Sequence, residues 1–344
     1  MTFAAHAHLP LPFDQLRDWL LAAPVFAESG RQESDGSLHV TFEVGVLRVR
    51  PADGISALAL DCGDAQGLQA LRDFVTEAAV AEGITPIWTE RHSRGRPANL
   101  CVARVMRVDR ISPAFRRVWI RHRDLANLLR GGLHFRLLFG PQDADWPWLD
   151  ETGVTNWPGG IGAWHRPVYT VRSIAQDGDS TIVSFDIFLH DGGRVTRWSD
   201  HLQHGAEVGI MGPSGGDLLT SAAATPWFGL FGDETALPAI ARLLATLPAS
   251  AIGQAVIAIP QTADRQQLAH PPGITLTWAI RGSTAPLIDM LQAATPPARD
   301  RFIFFAASSS ETAQARDVIR AKGLDRAEFR AQSYWKPPAA DQPA

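Results

Sequence analysis

Lysine is almost missing from this chain: of 32 basic residues only Lys322 and Lys336 are lysines, and arginine carries the rest of the positive charge. Cysteine is as scarce. Cys62 and Cys101 lie far apart with no Cys-x-x-Cys pair, which excludes a disulfide framework and any zinc or iron–sulfur centre built on this chain's cysteines. No apolar run approaches the ~18 residues of a membrane-spanning helix. Met1 to Pro12 lacks the basic-then-apolar order of a signal peptide, so an unexported, cytoplasmic protein with no integral membrane segment is expected. Neither the G-x-G-x-x-G dinucleotide fingerprint nor the G-x-x-x-x-G-K-[ST] phosphate loop occurs. The sequence pI of 6.3 is far below the ~9 that marks nucleic-acid-binding domains, and no nucleic-acid partner is expected.

What is present is ordinary globular composition, 45% apolar and 20% charged over 344 residues, enough for two or three domains. The charge is unevenly placed. Residues 1–92 hold 6 arginines against 13 acids, and the sign reverses beyond them. Within 94–136 there are eleven arginines and two acids, Asp109 and Asp124, which suits either an anionic ligand or a solvated barrel surface.

The pattern divides the chain. Phe13, Leu16, Trp19 and Leu20 have the spacing of a short amphipathic helix; Val40 to Val46 and Leu58 to Cys62 alternate as strands around a turn at Pro51–Gly54; Leu68 to Ala78 returns to helical spacing. This predicts a small α+β accessory domain over 1–92, followed by a polar linker. From Cys101 to Pro213, runs at 101–108, 115–120, 133–139, 169–174 and 181–189 are rich in Val, Ile, Phe and Leu and punctuated by Gly, Pro and Asp, as in an antiparallel β-barrel, here placed over 98–217. Pro141 to Trp164, with four tryptophans, is expected to be a long loop. The last third alternates strand and helix (strands at 227–231, 255–259, 274–280 and 302–306; helices at 236–247, 285–293 and 311–322), the rhythm of an α/β parallel sheet over 224–336 with a frayed tail at 337–344. The fold class is therefore multidomain, mixed α/β and β.

Three motifs carry chemistry. Arg166-Pro-Val-Tyr-Thr-Val-Arg172 opens a strand that offers a cation, backbone amides and a hydroxyl to a flat ligand. His190-Asp-Gly-Gly-Arg-Val-Thr-Arg-Trp198 passes from a strand through a Gly-Gly turn into a helix beginning near Val195, where uncapped N–H groups favour an anion. Gly232-Asp-Glu-Thr-Ala-Leu-Pro-Ala-Ile240 follows the strand at 227–231 with good helix-start chemistry, Thr and acids before Pro238. The first is also compatible with an ordinary exposed strand, the second with a Gly turn before a Thr-capped helix, and the third with a well-capped helix that holds no ligand. His201 and His204 lack a third ligand, and no metal site is expected.

R-P-V-Y-T-V-R, L-H-D-G-G-R-V-T-R-W, G-A-E-V-G-I-M-G-P, G-D-E-T-A-L-P-A-I and S-Y-W-K, in that order over about Ala98 to Lys336, closely resemble the siderophore-interacting protein family, flavin-dependent ferric-siderophore reductases of the ferredoxin-NADP reductase-like superfamily. Residues 1–92 look like a small domain of unknown function sometimes fused to it. The resemblance implies FAD as cofactor, NAD(P)H or a ferredoxin as electron donor, and a ferric siderophore as substrate.

It also implies roles. Arg166 would contact the FAD pyrophosphate, Val168 and Tyr169 would lie along the ribityl and isoalloxazine, and Thr170 would hydrogen-bond the ring near its redox-active edge, with Thr170 and Tyr169 the expected catalytic pair. Ile187, Phe188 and His190 would line the adenine side; Gly193, Val195, Thr196 and Trp198 would form a second pyrophosphate cradle. Asp233, with Glu234 and Thr235, would sit opposite the flavin, Trp335 would pack beside it, and Arg265 and Lys336 would attract the chelate. The sequence departs from the family pattern at Ala306-Ala307-Ser308, usually Ala-Gly-Glu, at Lys336-Pro337-Pro338, usually Arg-x-Gly, and at Arg194, usually Pro. The departures at 306–308 and 336–338 leave the electron donor open. Two other readings stand beside the reductase: a flavin reductase serving a protein partner, and a non-catalytic siderophore-binding protein.

Overall fold

The computed structural model describes residues 2–22, 26, 29–129, 132–214 and 226–337. The tail expected at 337–344 falls, from residue 338 on, outside the described residues. Contacts divide the chain into two compact units: Met1–Cys101 with Arg136–Pro167 and Gly209–Pro213, and Val102–Phe135 with Val168–Val208 and Ser214–Ala344.

The first unit opens with a six-stranded antiparallel sheet of β1 (Phe3–Leu9), β2 (Gly30–Gln32), β3 (Leu38–Phe42), β4 (Gly45–Ala52), β5 (Ile55–Cys62) and β6 (Ile87–Trp88), in the order β2-β3-β4-β5-β1-β6. Helices α1 (Phe13–Ala22) and α2 (Ala65–Ala81) cover one face, burying Leu16, Leu20, Leu71, Val75 and Ala79 against Leu38, Val49 and Leu60. The Asp64 carboxylate accepts the Gly67 N–H at 2.7 Å and so starts α2. The alternation read through Val40 to Val46 is instead a hairpin. It breaks at Glu43–Val44, the inward residues are Leu38, Val40, Leu47 and Val49, and Val44 is exposed. The turn between β4 and β5 closes on Asp53 (φ +23°) and Gly54 (φ +81°), the left-handed pair that a two-residue hairpin favours.

An antiparallel barrel sheet follows: β7 (Leu100–Ser112), β8 (Phe115–His122), β9 (His134–Leu138), β12 (Val168–Thr170), β13 (Ser173–Asp177), β14 (Ser180–Phe188) and β15 (Glu207–Ser214), in the order β12-β9-β15-β7-β8-β14-β13. The run expected as one strand at 169–174 turns a corner. Val171 N–H donates to the Leu133 carbonyl and Arg172 N–H to the Ser184 carbonyl, both at 2.8 Å, so two successive residues link the two ends of the strand order and close the sheet. Val118, Ile120, Phe135, Val183, Phe185 and Ile187 fill its interior. Within the tryptophan-rich loop a small hairpin forms, β10 (Trp148–Leu149) with β11 (Thr155–Asn156), and Trp164 is buried with Leu100, Leu138 and Met211. The arginines of 94–136 lie mostly in intramolecular pairs, such as Arg104–Glu207, Arg116–Asp200, Arg117–Asp186 and Arg121–Asp177.

Beyond α3 (Arg194–Asp200), the second unit ends in a parallel five-stranded sheet: β16 (Trp227–Gly232), β17 (Ile252–Ile259), β18 (Gly273–Ile280), β19 (Arg301–Ser308) and β20 (Phe329–Trp335), with α4 (Leu237–Thr246), α5 (Leu287–Ala293) and α6 (Ser309–Ala321). The order β18-β17-β16-β19-β20 places the reversal between β16 and β19. The expected antiparallel-then-parallel architecture is thus the observed one. Among the described residues no helix is long and apolar enough to cross a membrane.

Candidate functional site

In an open parallel sheet, ligands bind outside the carboxyl ends of the strands where the order reverses. Here that point is Gly232–Asp233, where Asp233 N–H donates to the Ala306 carbonyl at 3.2 Å. A Cβ on Gly232 would stand 2.6 Å from the Ala236 Cβ and 3.0 Å from the Ala306 oxygen, so glycine permits the close approach of strand and helix. Asp233 is wholly buried. Its Oδ1 accepts from the Thr235 hydroxyl at 2.6 Å, Thr235 N–H at 2.9 Å and Ala236 N–H at 3.3 Å, while Oδ2 accepts the Trp335 indole N–H at 2.7 Å. Both oxygens are therefore engaged inside the fold. Beside it Glu234, its carboxyl raised chiefly by burial, accepts two guanidinium N–H groups of Arg281.

The chain has two tyrosines, and both lie beside Thr170 or its partner. Thr170, at the end of β12, is 5% exposed, and its Oγ1 stands 3.2 Å from Nδ1 of His134 on β9. The other ring nitrogen of His134, Nε2, is 3.1 Å from the Tyr334 hydroxyl. Burial, then the nearby Arg242 charge, pulls the His134 pKa down to about 4, so the imidazole is neutral at physiological pH. Burial, reinforced by the Asp233 charge, pushes the Tyr334 phenol up. The β19–β20 pairing shifts register between Ala307 and Ser308, so that Ser333 and Trp335 face consecutive residues and Tyr334 is the extra one; such bulges re-aim side chains. His134 and Tyr334 were not among the residues singled out from the sequence. The available signal was a histidine inside an apolar strand, Leu133-His-Phe-Arg-Leu-Leu138.

The remaining expected residues are placed as follows. Val168 is 51% exposed, whereas Tyr169 packs edge-on against buried Phe185 with ring centroids 5.6 Å apart. Arg166 precedes β12, lies over the Trp157 ring at 4.9 Å and stands 3.8 Å from the Glu77 carboxylate. Ile187 is buried in the barrel, and Phe188 stacks on His190 at 6.2 Å. Gly193 caps α3 with no side-chain hydrogen bond to the first turn, and a Cβ there would lie 2.8 Å from both His190 Nε2 and Thr196 Oγ1. Val195 is buried; Thr196 Oγ1 accepts the His190 N–H at 3.3 Å; Trp198 is half-buried. Arg265 and Lys336 are exposed.

Comparison with known proteins supplies the frame for this geometry. Residues 104–217 match the family model described as siderophore-interacting FAD-binding domain, and residues 225–338 the one described as siderophore-interacting protein. The chain belongs to the siderophore-interacting protein family. An Escherichia coli relative named NADPH-dependent ferric-chelate reductase is 28% identical over 67% of this chain and 91% of its own length. A Vibrio cholerae relative named ferric vibriobactin reductase is 29% identical over 50% of this chain and 66% of its own length. A solved siderophore utilization protein from T. fusca superposes with a TM-score of 0.60 at 25% identity, covering 74% of this chain and 97% of that one. Residues 1–103 of this siderophore-interacting protein lie outside both family models. The residues present fit an FAD: an exposed Val168 leads into a strand ending in a hydroxyl, and α3 starts on Gly193, which brings no side chain of its own to cap the first turn.

Proposed function

We propose that this protein is an FAD-dependent ferric-siderophore reductase, passing electrons from NAD(P)H or a ferredoxin through FAD to siderophore-held Fe(III), which leaves as Fe(II). The observation that carries the reading is a single dipeptide. Tyr334 reaches through His134 to Thr170 on the barrel, and Trp335 is bonded to Asp233 at the reversal point of the parallel sheet. That tie holds a strand suited to a flavin beside the strand end at which nucleotide-type sheets take their ligands. The names of the E. coli and V. cholerae relatives support the reductase reading, and the first supports NADPH.

FAD supplies conversion of a hydride pair into single electrons; the protein supplies binding and orientation. Arg166 would contact the pyrophosphate as a charge-assisted donor, and backbone N–H groups at the start of α3, with Gly193, Val195, Thr196 and Trp198, would form a phosphate cradle. Ile187, Phe188 and His190 line the adenine side. Val168 and Tyr169 flank the ring system, Thr170 offers its hydroxyl to the ring edge, and Asp233 acts by fixing Thr235 and Trp335. Arg265 and Lys336 draw in an anionic chelate. In this reading residues 98–217 bind the flavin, 224–336 meet the reductant, 1–92 are an accessory domain, and the enzyme works in the cytoplasm.

The stoichiometry is fixed by charge: NADPH and two Fe(III) give NADP⁺, one proton and two Fe(II). The test is NADPH oxidation with a ferric siderophore and a coloured Fe(II) chelator. Two Fe(II) trapped per NADPH support the proposal. NADPH consumption without Fe(II), alongside turnover with a protein acceptor, favours the flavin reductase instead.

A further inference from the structure

The neutral His134 has one donor and one acceptor to share between two hydroxyls. Two arrangements exist. With the proton on Nδ1, the ring donates to Thr170 Oγ1 and Nε2 accepts the Tyr334 O–H, so the Thr170 hydrogen points away from the ring. With the proton on Nε2, the ring donates to the Tyr334 oxygen and Thr170 spends its hydrogen on Nδ1, leaving it only lone pairs to offer beyond. The surroundings separate the two. A buried phenol must place its hydrogen on an acceptor, and the Tyr334 hydroxyl faces Nε2 at 3.1 Å. This calls for the proton on Nδ1.

We propose that Tyr334 holds His134 in its Nδ1–H tautomer, and that His134 thereby presets the Thr170 hydroxyl as a hydrogen-bond donor toward the flavin ring. The inference rests on the flavin reading of Thr170 and goes beyond it by assigning two positioning residues, His134 and Tyr334, which act through Thr170. The device costs no net charge, because Arg242 and burial keep the ring neutral. Arg242 itself donates to the Val171 carbonyl at 3.2 Å, so the positive charge that disfavours a second ring proton is anchored one residue beyond Thr170. The bulge at Tyr334 has a purpose in this account, since it gives Tyr334 and Trp335 their separate partners.

A donor aimed at the ring acts unequally on oxidised and reduced flavin, because the two differ in which ring atoms carry hydrogen. Its loss therefore shows in the flavin midpoint potential. Two measurements on the full chain decide the matter. Two-bond ¹H–¹⁵N correlation spectra of histidine-labelled protein at pH 7 are expected to show His134 neutral with its proton on Nδ1; an Nε2–H ring or an imidazolium overturns the proposal. Tyr334→Phe is expected to retain FAD and to change the ratio of affinities for oxidised and reduced flavin about tenfold, about 30 mV for a two-electron couple. The same substitution in a Thr170→Val background is expected to add nothing, as a coupled pair requires. Equal shifts in both backgrounds, or an unchanged potential in the single variant, overturn it. If the wild-type protein binds no FAD, the functional reading fails, and the tautomer is still decided by the first measurement.

Discussion

The indole N–H of Trp335 donates to Oδ2 of Asp233 across 2.7 Å, while Oδ1 of the same carboxylate holds the Thr235–Ala236 turn that leads into α4. One buried side chain thus shapes the strand end and anchors the C-terminal strand. Asp233→Ala strips partners from several buried donors and is expected to lower stability by about 3 kcal/mol. Asp233→Asn keeps an oxygen for the turn and should cost about half as much. Urea unfolding of the two variants against wild type checks both the size and the order.

Gly232 makes the same turn possible, and Gly232→Ala forces a methyl against Ala236 and the Ala306 carbonyl. The expected loss is about 1–3 kcal/mol, typical of overpacking. A melting temperature equal to wild type would show that strand and helix can part at no cost.

The His134 pKa of about 4 in the folded chain lies below the ~6.5 of an unfolded histidine, so the unfolded state takes up the proton first. Above pH 6.5 the ring is neutral in both states and contributes no pH dependence. Between about 6.5 and 4 the folded state loses up to about 3 kcal/mol. Asp73 runs the other way: burial raises its carboxyl to about 6, so protonation below that pH favours the folded state. The His134 contribution is therefore isolated by comparison with His134→Gln, which should lose less stability between pH 7 and 5 than wild type does.

Arg166 stands 3.8 Å from Glu77 of α2, the helix of the N-terminal sheet. Arg166→Ala is expected to weaken FAD binding ten- to hundredfold, the value of a charge-assisted hydrogen bond of about 1.5–3 kcal/mol. Glu77→Gln removes a competitor for the same guanidinium and should tighten binding by at most about fivefold, since half-exposed ion pairs are worth about 0–1 kcal/mol. Fluorescence titration of apoprotein with FAD reads both changes.

Neutralising Arg265 and Lys336 together is expected to raise the KM for an anionic ferric siderophore and flatten its dependence on ionic strength, with kcat unchanged. An unchanged KM removes these two residues from the substrate path.

The sequence reveals the parallel sheet because its strands are short, nearly continuous apolar runs separated by capped helices, as in Trp227–Phe231 and Phe302–Ala306. It hides β1, since Phe-Ala-Ala-His-Ala-His-Leu has little β preference of its own and becomes a strand by pairing with β5. The hairpin at Glu43–Val44 is hidden for a related reason: valines on both sides mask the change of face. At the site, Arg166 to Thr170 and Gly193 to Trp198 are legible as local motifs. His134 is not, because its partners Thr170 and Tyr334 are 36 and 200 residues away. Asp233 is legible as a residue of the helix-start motif; that its carboxylate takes hydrogen bonds from Thr235, Ala236 and Trp335 is displayed only by the folded chain.

Electron transfer through bound FAD to siderophore iron is read from the visible spectrum of the purified protein under anaerobic conditions. The account predicts a flavin spectrum that bleaches on addition of NADPH, NADH or reduced ferredoxin and returns when a ferric siderophore is added. A colourless protein, or a reduced flavin that the ferric siderophore leaves bleached, would contradict it.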